Sequence, residues 1–234
     1  MPTSSASGSS SGSQLGVDRV IDVPTPFGPA RAHVRTPSGT ARGRLVLGHG
    51  AGGGIGAADL VTARAAAVAA GWQVVLVEQP WRVAGKRVAA PPPRLDVGWL
   101  AVLARLDELD ETAEVARLPL VVGGRSAGAR VACRTAQEVD ARAVCCLAFP
   151  LHPPGRPERS RAAELAAPPA AGIPVLVLQG ERDPFGAPAE ITALGLADVE
   201  VIGVPGDHTL AKTAAAAAAV TTAITGRLPG WCQE

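Results

Sequence analysis

Short, almost wholly apolar segments alternate with longer helix-forming stretches over most of this chain. Examples of the apolar segments are RLVLG at 44–48, WQVVLV at 72–77 and IPVLVL at 173–178. Strands that are apolar on both faces must be covered on both faces, as helices do for parallel sheets. Strand and helix alternating along the chain are typical of this arrangement, with helices expected, for example, over residues 94–111 and 157–167. The sequence therefore predicts an α/β fold with a mostly parallel central sheet and helices on both faces.

The segment before this alternation has a different pattern. Residues 18–25 and 30–37 alternate apolar and polar side chains on either side of a Pro/Gly turn. This is typical of a β-hairpin, so we expect an antiparallel hairpin at the edge of the sheet. Residues 1–16 are rich in Ser and Gly and lack the basic and apolar regions of a signal peptide. We predict that they form a flexible tail and that residues 17–234 form a single domain.

The composition narrows the classes of partner. Lys and Arg number 22 against 21 Asp and Glu, a net charge of +1, and 3% of residues are aromatic. These values indicate neither a basic surface nor a set of stacking side chains, so we expect no nucleic-acid partner. No apolar stretch is long enough to span a membrane, and the four cysteines lack metal-site or disulfide-framework spacing. We predict a cytoplasmic protein with no cofactor, no metal and no membrane partner, and the oligomeric state stays open.

The segment VVGGRSAGAR carries the strongest indication of chemistry. Residues 124–128 read Gly-Arg-Ser-Ala-Gly, the G-x-S-x-G pattern, with an apolar strand before it and helix-forming residues after it. In this context the serine lies on a sharp strand-to-helix turn, and small neighbours let strand and helix approach closely. The turn exposes the Ser126 Oγ as a nucleophile. It also places the Ala127 N–H at a helix N-terminus, where negative charge is favoured.

A serine nucleophile needs a base, and the base needs an acid that orients it. Asp183 follows the strand at 173–178 in the segment QGERDPFG, and His208 follows the last predicted strand in GDHTL. This order of serine, acid and histidine is the one expected on a parallel α/β sheet. Two other acids compete with Asp183. Glu181 lies in the same loop, whereas Asp207 adjoins the histidine and is better suited to cap the closing helix.

The glycine-rich loop LGHGAGGGIG at 47–56 has two interpretations. As the partner of a serine nucleophile, it would supply the second oxyanion donor. The Ala51 N–H is then the expected donor, with Gly50 or Gly52 as alternatives. The loop also contains the G-x-G-x-x-G spacing of a dinucleotide-binding turn. That interpretation would leave the serine, acid and histidine without a role, so we favour the first.

Further residues around this site could contact a substrate. We expect His49, beside Gly50 in the glycine-rich loop, to shape that loop by hydrogen bonding rather than to act as a second base. Arg125 precedes the nucleophile and could bind a substrate carboxylate or pair with a surface acid. Trp81 and His152 lie in two proline-marked connections that follow predicted strands. Ligands of α/β sheets bind at this edge.

Four segments together resemble a known family of enzymes. The segments GGRSAGAR, FPLHPPGRP, LQGERDPFG and GDHTL resemble small, dienelactone-hydrolase-like α/β-hydrolases. More narrowly, they resemble a compact family of predicted hydrolases that includes relatives of a KANSL-type chromatin-complex subunit. The resemblance covers residues 40–226. Some members of that family carry a bulkier residue where this chain has Ala127.

This resemblance implies an α/β-hydrolase fold without a large cap domain. It also implies a nucleophile at Ser126, an acid at Asp183 and a base at His208. The leading hypothesis is a serine hydrolase that cleaves a small ester or related acyl compound through an acyl-enzyme. Because some family members are regarded chiefly as interaction proteins, a non-catalytic interaction module stays as the alternative. A dinucleotide-binding protein is a weaker alternative.

Overall fold

The computed structural model describes residues 18–106 and 118–232 and contains one eight-stranded sheet. The predicted tail at 1–16 lies outside the described residues, as does the C-terminal part of the helix expected over 94–111. The strands are β1 Asp18–Val23, β2 Ala30–Arg35, β3 Arg44–Gly48, β4 Gln73–Glu78, β5 Leu120–Arg125, β6 Ala143–Leu147, β7 Val175–Gly180 and β8 Val199–Val204.

The order of the strands across the sheet is β1-β2-β4-β3-β5-β6-β7-β8. Strands β3 to β8 are parallel, whereas β1 and β2 form an antiparallel pair and β2 joins β4 antiparallel. The hairpin therefore lies at one edge of the sheet, as the sequence predicts. Within the described ranges, no large cap domain is inserted between these elements.

The helices cover both faces of the sheet. They are α1 Ala58–Ala69, α2 Pro80–Val83, α3 Pro92–Leu103, α4 Ala127–Thr135, α5 Ala162–Ala170, α6 Pro188–Thr192 and α7 Ala214–Arg227, followed by a 3-10 turn at Leu228–Cys232. Helices α1 and α7 enclose one apolar core with Trp72, and α3, α4 and α5 enclose the other with Trp99 and Phe149. No helix of the described residues has the length and apolarity needed to cross a bilayer.

The structure differs from the sequence prediction at three helices, one of them unexpected and two of them with a different start. The short helix α2 was not predicted. Helix α5 begins at Ala162 rather than near residue 157, because the chain doubles back there and the Arg161 N–H donates to the Leu151 carbonyl. Helix α7 begins after Thr213, whose side chain accepts from a backbone N–H three residues later. The expected helix cap at Asp207 is therefore wrong, and that carboxylate instead accepts the N–H two residues along.

Candidate active site

Ser126 lies on a strained turn between β5 and α4. Its backbone has φ 52° and ψ −109°, a conformation that is costly for a residue with a Cβ. Its N–H donates to the Leu147 carbonyl at 3.0 Å, which holds the turn against β6. A Cβ on Gly124 or Gly128 would lie 2.4 or 2.3 Å from the Gly48 carbonyl oxygen. Only glycine at both positions lets β3 approach the turn, which explains the spacing around the serine.

The structure brings Ser126, His208 and Asp183 together. His208 Nε2 lies 2.9 Å from Ser126 Oγ, and His208 Nδ1 lies 2.8 Å from Asp183 Oδ2. Because an ionised carboxylate only accepts hydrogen bonds, Nδ1 carries the proton and Nε2 is the acceptor that faces the serine hydroxyl. This arrangement can remove a proton from Ser126 as its oxygen attacks an electrophile.

Asp183 is held by groups other than His208. Gln179 Nε2 donates to its Oδ2 at 2.9 Å, and the Phe185 N–H donates to its Oδ1 at 2.9 Å. The Phe185 ring also packs on the His208 ring, with the ring centres 4.2 Å apart. Both side chains of the Asp183–His208 pair therefore have a fixed orientation.

The two competing acids have other surroundings. Glu181 is exposed. Asp207 is also exposed and pairs with Lys212 at 3.2 Å. The hydrogen bond of its carboxylate to the Thr209 N–H and the Lys212 ammonium lower the pKa of Asp207 below its ordinary value. The acid in contact with the imidazole is thus Asp183.

The glycine-rich loop runs directly beside the serine. A Cβ on Gly50 would lie 3.4 Å from Ser126 Cβ. His49 is buried and accepts the Gln79 N–H on Nε2 at 3.1 Å, so its Nδ1–H donates to the Gly50 carbonyl at 2.9 Å. Burial lowers the pKa of His49, which favours the neutral ring. These contacts give His49 a role in shaping the loop.

Two cavities meet at the candidate oxyanion donors. An open cleft of 390 Å³ is lined by Ser126, His208, Phe185, Arg125, Arg130 and Arg161, among others. A second cavity of 10 Å³ has room for about one water molecule. Its lining includes His49, Gln79, Trp81 and Trp99. Because Ala51 and Ala127 line both cavities, these two residues lie between the two spaces.

Arg125 lines the cleft, but its guanidinium is bonded to other groups of the protein. Its Nε donates to Asp59 Oδ2 at 2.9 Å, and its Nη2 donates to the His208 carbonyl at 3.2 Å and to Thr209 Oγ1 at 3.3 Å. Burial raises the pKa of Asp59 above its ordinary value, although the Arg125 charge opposes this shift. Sequence reasoning missed Asp59. The available signal was an acid in the first turn of the helix that follows the glycine-rich loop.

The two remaining substrate-binding candidates do not line the open cleft around the serine. Trp81 is buried against the His49 ring, with the ring centres 5.4 Å apart. His152 lines neither of the two cavities and contacts Glu190 Oε2 at 3.0 Å. Hydrogen bonds to the Pro153 carbonyl and to Glu190 raise the pKa of His152 above its ordinary value.

Comparisons with known proteins agree with this architecture. The family model for the alpha/beta hydrolase domain matches residues 41–226. An alpha-beta serine hydrolase homologue from Coxiella burnetii superposes with a TM-score of 0.72 at 16% identity, covering 90% of this chain and 97% of that chain. An α/β serine hydrolase without a lid from Xanthomonas campestris gives 0.70 at 18% identity, covering 92% and 94%. A dienelactone hydrolase from Anabaena variabilis gives 0.68 at 16% identity, covering 91% and 97%.

At these identities the structural likeness establishes the fold alone. No curated protein matches the chain.

Proposed function

The chain belongs to the alpha/beta hydrolase domain family, and from this premise we propose that it is a serine hydrolase cleaving a small ester or related acyl compound. One observation carries the proposal. The hydrogen bonds from Ser126 through His208 to Asp183, at 2.9 and 2.8 Å, form a connected path beside an open cleft. A serine, a base and an orienting acid in this relationship are the parts that acyl transfer requires.

In the proposed reaction, Ser126 Oγ attacks the substrate carbonyl carbon while His208 Nε2 accepts the hydroxyl proton. Asp183 stabilises the imidazolium that forms. The Ala51 and Ala127 N–H groups hold the negative oxygen of the tetrahedral intermediate. The C–O bond to the leaving group then breaks, and His208 returns the proton to the departing oxygen. Water repeats the sequence on the acyl-enzyme and releases the acid product.

The surroundings of the serine support a substrate of modest size. The cleft of 390 Å³ is open, and the described part of the chain places no large cap domain over it. The small cavity behind Ala51 and Ala127 has room for one compact group. We therefore place the larger part of the substrate in the open cleft.

Hydrolysis of p-nitrophenyl acetate and labelling by a fluorophosphonate probe test this function. We expect both in the wild type and neither in Ser126→Ala. Ser38→Ala is a matched control, because Ser38 is exposed and remote in sequence from the site. If the wild type shows neither activity above Ser126→Ala, the catalytic proposal fails.

The non-catalytic alternative makes a different geometric prediction. An interaction module that keeps only the fold has no need of a histidine within hydrogen-bond distance of the serine, nor of an open cleft around it. The 2.9 Å contact of His208 with Ser126 favours hydrolysis instead. A thermal-shift screen with NAD, NADP and FAD tests the dinucleotide alternative.

A further inference from the structure

Three arginines line the open cleft, and the described residues that line it include no acid. Two of the three are neutralised by carboxylates. Arg125 pairs with Asp59 at 2.9 Å, and Arg130 pairs with Glu164 at 2.6 Å. The charge that these two guanidinium groups present to the cleft is therefore largely cancelled.

Arg161 is different from the other two. Its Nη1 donates to the Pro150 carbonyl at 2.8 Å, and within residues 18–106 and 118–232 no carboxylate lies within ion-pair distance of it. Glu164, three residues along, attracts Arg161 electrostatically but makes no ion-pair contact with it. Both oxygens of that carboxylate accept from Arg130, and one of them also accepts from Arg134 at 2.9 Å.

The neighbouring charges balance without Arg161. Arg134 also pairs with Asp96 at 2.5 Å, so a chain of ion pairs beside the cleft joins two arginines to two acids. Arg161 therefore adds one positive charge to this side of the cleft, and no carboxylate of the described residues contacts it. Its guanidinium has five N–H donors, of which the described contacts use one.

The surroundings of Arg161 make this surplus charge unfavourable in the empty cleft. Arg161 is half-buried, and desolvation and the positive charge of Arg130 lower the pKa of its guanidinium. Arginine nevertheless stays protonated in proteins. An anion bound in the cleft would compensate both the lost hydration and the repulsion, and a charge-assisted bond to guanidinium is among the strong ones.

We propose that Arg161 forms an anion-binding subsite, and that the substrate of this site carries a carboxylate on the part that occupies the open cleft. This inference rests on the proposed function, because it names the substrate class of the same site. One surplus guanidinium matches one negative charge, which favours a carboxylate over a doubly charged phosphate monoester. The planar fork of the guanidinium also fits a carboxylate bidentately.

Two matched substrate pairs test this proposal. In the first pair, mono-4-nitrophenyl glutarate carries a carboxylate on the acyl side, and 4-nitrophenyl pentanoate is its uncharged counterpart. In the second pair, 4-acetoxybenzoate carries a carboxylate on the leaving-group side, and its methyl ester is uncharged. We expect kcat/KM in at least one pair to favour the acid by about tenfold, the effect of one hydrogen bond to a charged group. Arg161→Gln should remove that preference, and Arg161→Lys should keep part of it. Arg159→Gln, an equal charge change at an exposed neighbour, should not change the preference.

A binding measurement separates this inference from the proposed function. Ser126→Ala is titrated calorimetrically with 4-acetoxybenzoate and with its methyl ester, with and without Arg161→Gln. Tighter binding of the acid that depends on Arg161 supports the subsite even if the wild type shows no turnover. Hydrolysis without preference for the acid in either pair, together with equal binding of acid and ester, overturns the subsite and leaves the hydrolase proposal standing. Unfolding curves establish that each variant is folded.

Discussion

Arg125 Nε donates a 2.9 Å hydrogen bond to Asp59, whose side chain is 0% exposed. The same guanidinium donates to the carbonyl of His208. One ion pair thus connects helix α1, the residue before the candidate nucleophile and the loop that carries the candidate base. These contacts join residues that are far apart in sequence, and they hold the turn of Ser126 and the loop of His208 in position.

We expect Asp59→Asn to destabilise the protein strongly. The substitution leaves the Arg125 guanidinium, 12% exposed, without its counter-ion. Breaking a buried pair by removing one partner costs about 3–5 kcal/mol. Urea unfolding measures this loss, and the double variant Asp59→Leu/Arg125→Met should recover much of it because no lone charge is left buried. An unfolding midpoint of Asp59→Asn equal to that of the wild type would contradict the prediction.

Asp183→Asn should abolish most of the proposed activity while the protein stays folded. The carboxylate accepts from Gln179, Phe185 and His208. An amide offers one acceptor oxygen, so the His208 Nδ1–H loses its partner and the ring loses its preferred tautomer. In serine proteases the same change lowers kcat by about 10⁴, and we expect a similar factor in ester hydrolysis. Glu181→Gln is the control, and a comparable loss in that variant would reassign the acid.

The sequence was sufficient for the fold because each central strand is apolar on both faces, as in LVLG at 45–48. It was also sufficient to place Ser126, Asp183 and His208 at one edge of the sheet, because each follows a predicted strand. The sequence left open whether Arg125 pairs with an acid, and it did not identify Asp59 as the partner, since the two residues are 66 positions apart and an acid in the first turn of a helix usually faces solvent. The sequence did not predict where the helices begin, because their starts depend on loop contacts such as that of Arg161 with Leu151.

We expect Gly128→Ala to disrupt the turn at the serine. The added Cβ would lie 2.3 Å from the Gly48 carbonyl oxygen, a backbone atom that cannot move without separating β3 from α4. Overpacking of this kind costs about 1–3 kcal/mol, and fluorophosphonate labelling should fall with it. Gly39→Ala is the matched control, because no atom lies within 4 Å of its added Cβ. Equal unfolding midpoints of the two variants would refute the steric argument.

Glu164 should make the stability of the protein depend on acidic pH. Burial disfavours its charge, but the hydrogen bonds and charges of Arg130 and Arg134 outweigh burial and lower its pKa below the ordinary 4.5. Its stabilisation is therefore complete above pH 4.5 and is lost as the pH falls through the folded-state pKa. Urea unfolding at neutral and acidic pH measures this effect. We expect Glu164→Gln to be less stable than the wild type at neutral pH and to lose less of its free energy of unfolding on acidification. Exposed Glu158→Gln should follow the wild type, and a parallel decline in all three proteins would exclude this role.

Ala51→Pro tests which backbone N–H of the glycine-rich loop holds the oxyanion. Proline removes the backbone N–H. Because the proline ring requires a negative φ and the φ of Ala51 is not positive, the sign of this angle permits the substitution. If Ala51 is the donor, kcat for p-nitrophenyl acetate should fall about 10²–10³-fold with little change in KM, because the bond forms chiefly in the transition state. Gly52→Pro is the comparison, since that glycine also lines the cleft. A large loss in Gly52→Pro with near-normal turnover in Ala51→Pro would assign the donor to Gly52, provided that both variants unfold at the wild-type midpoint.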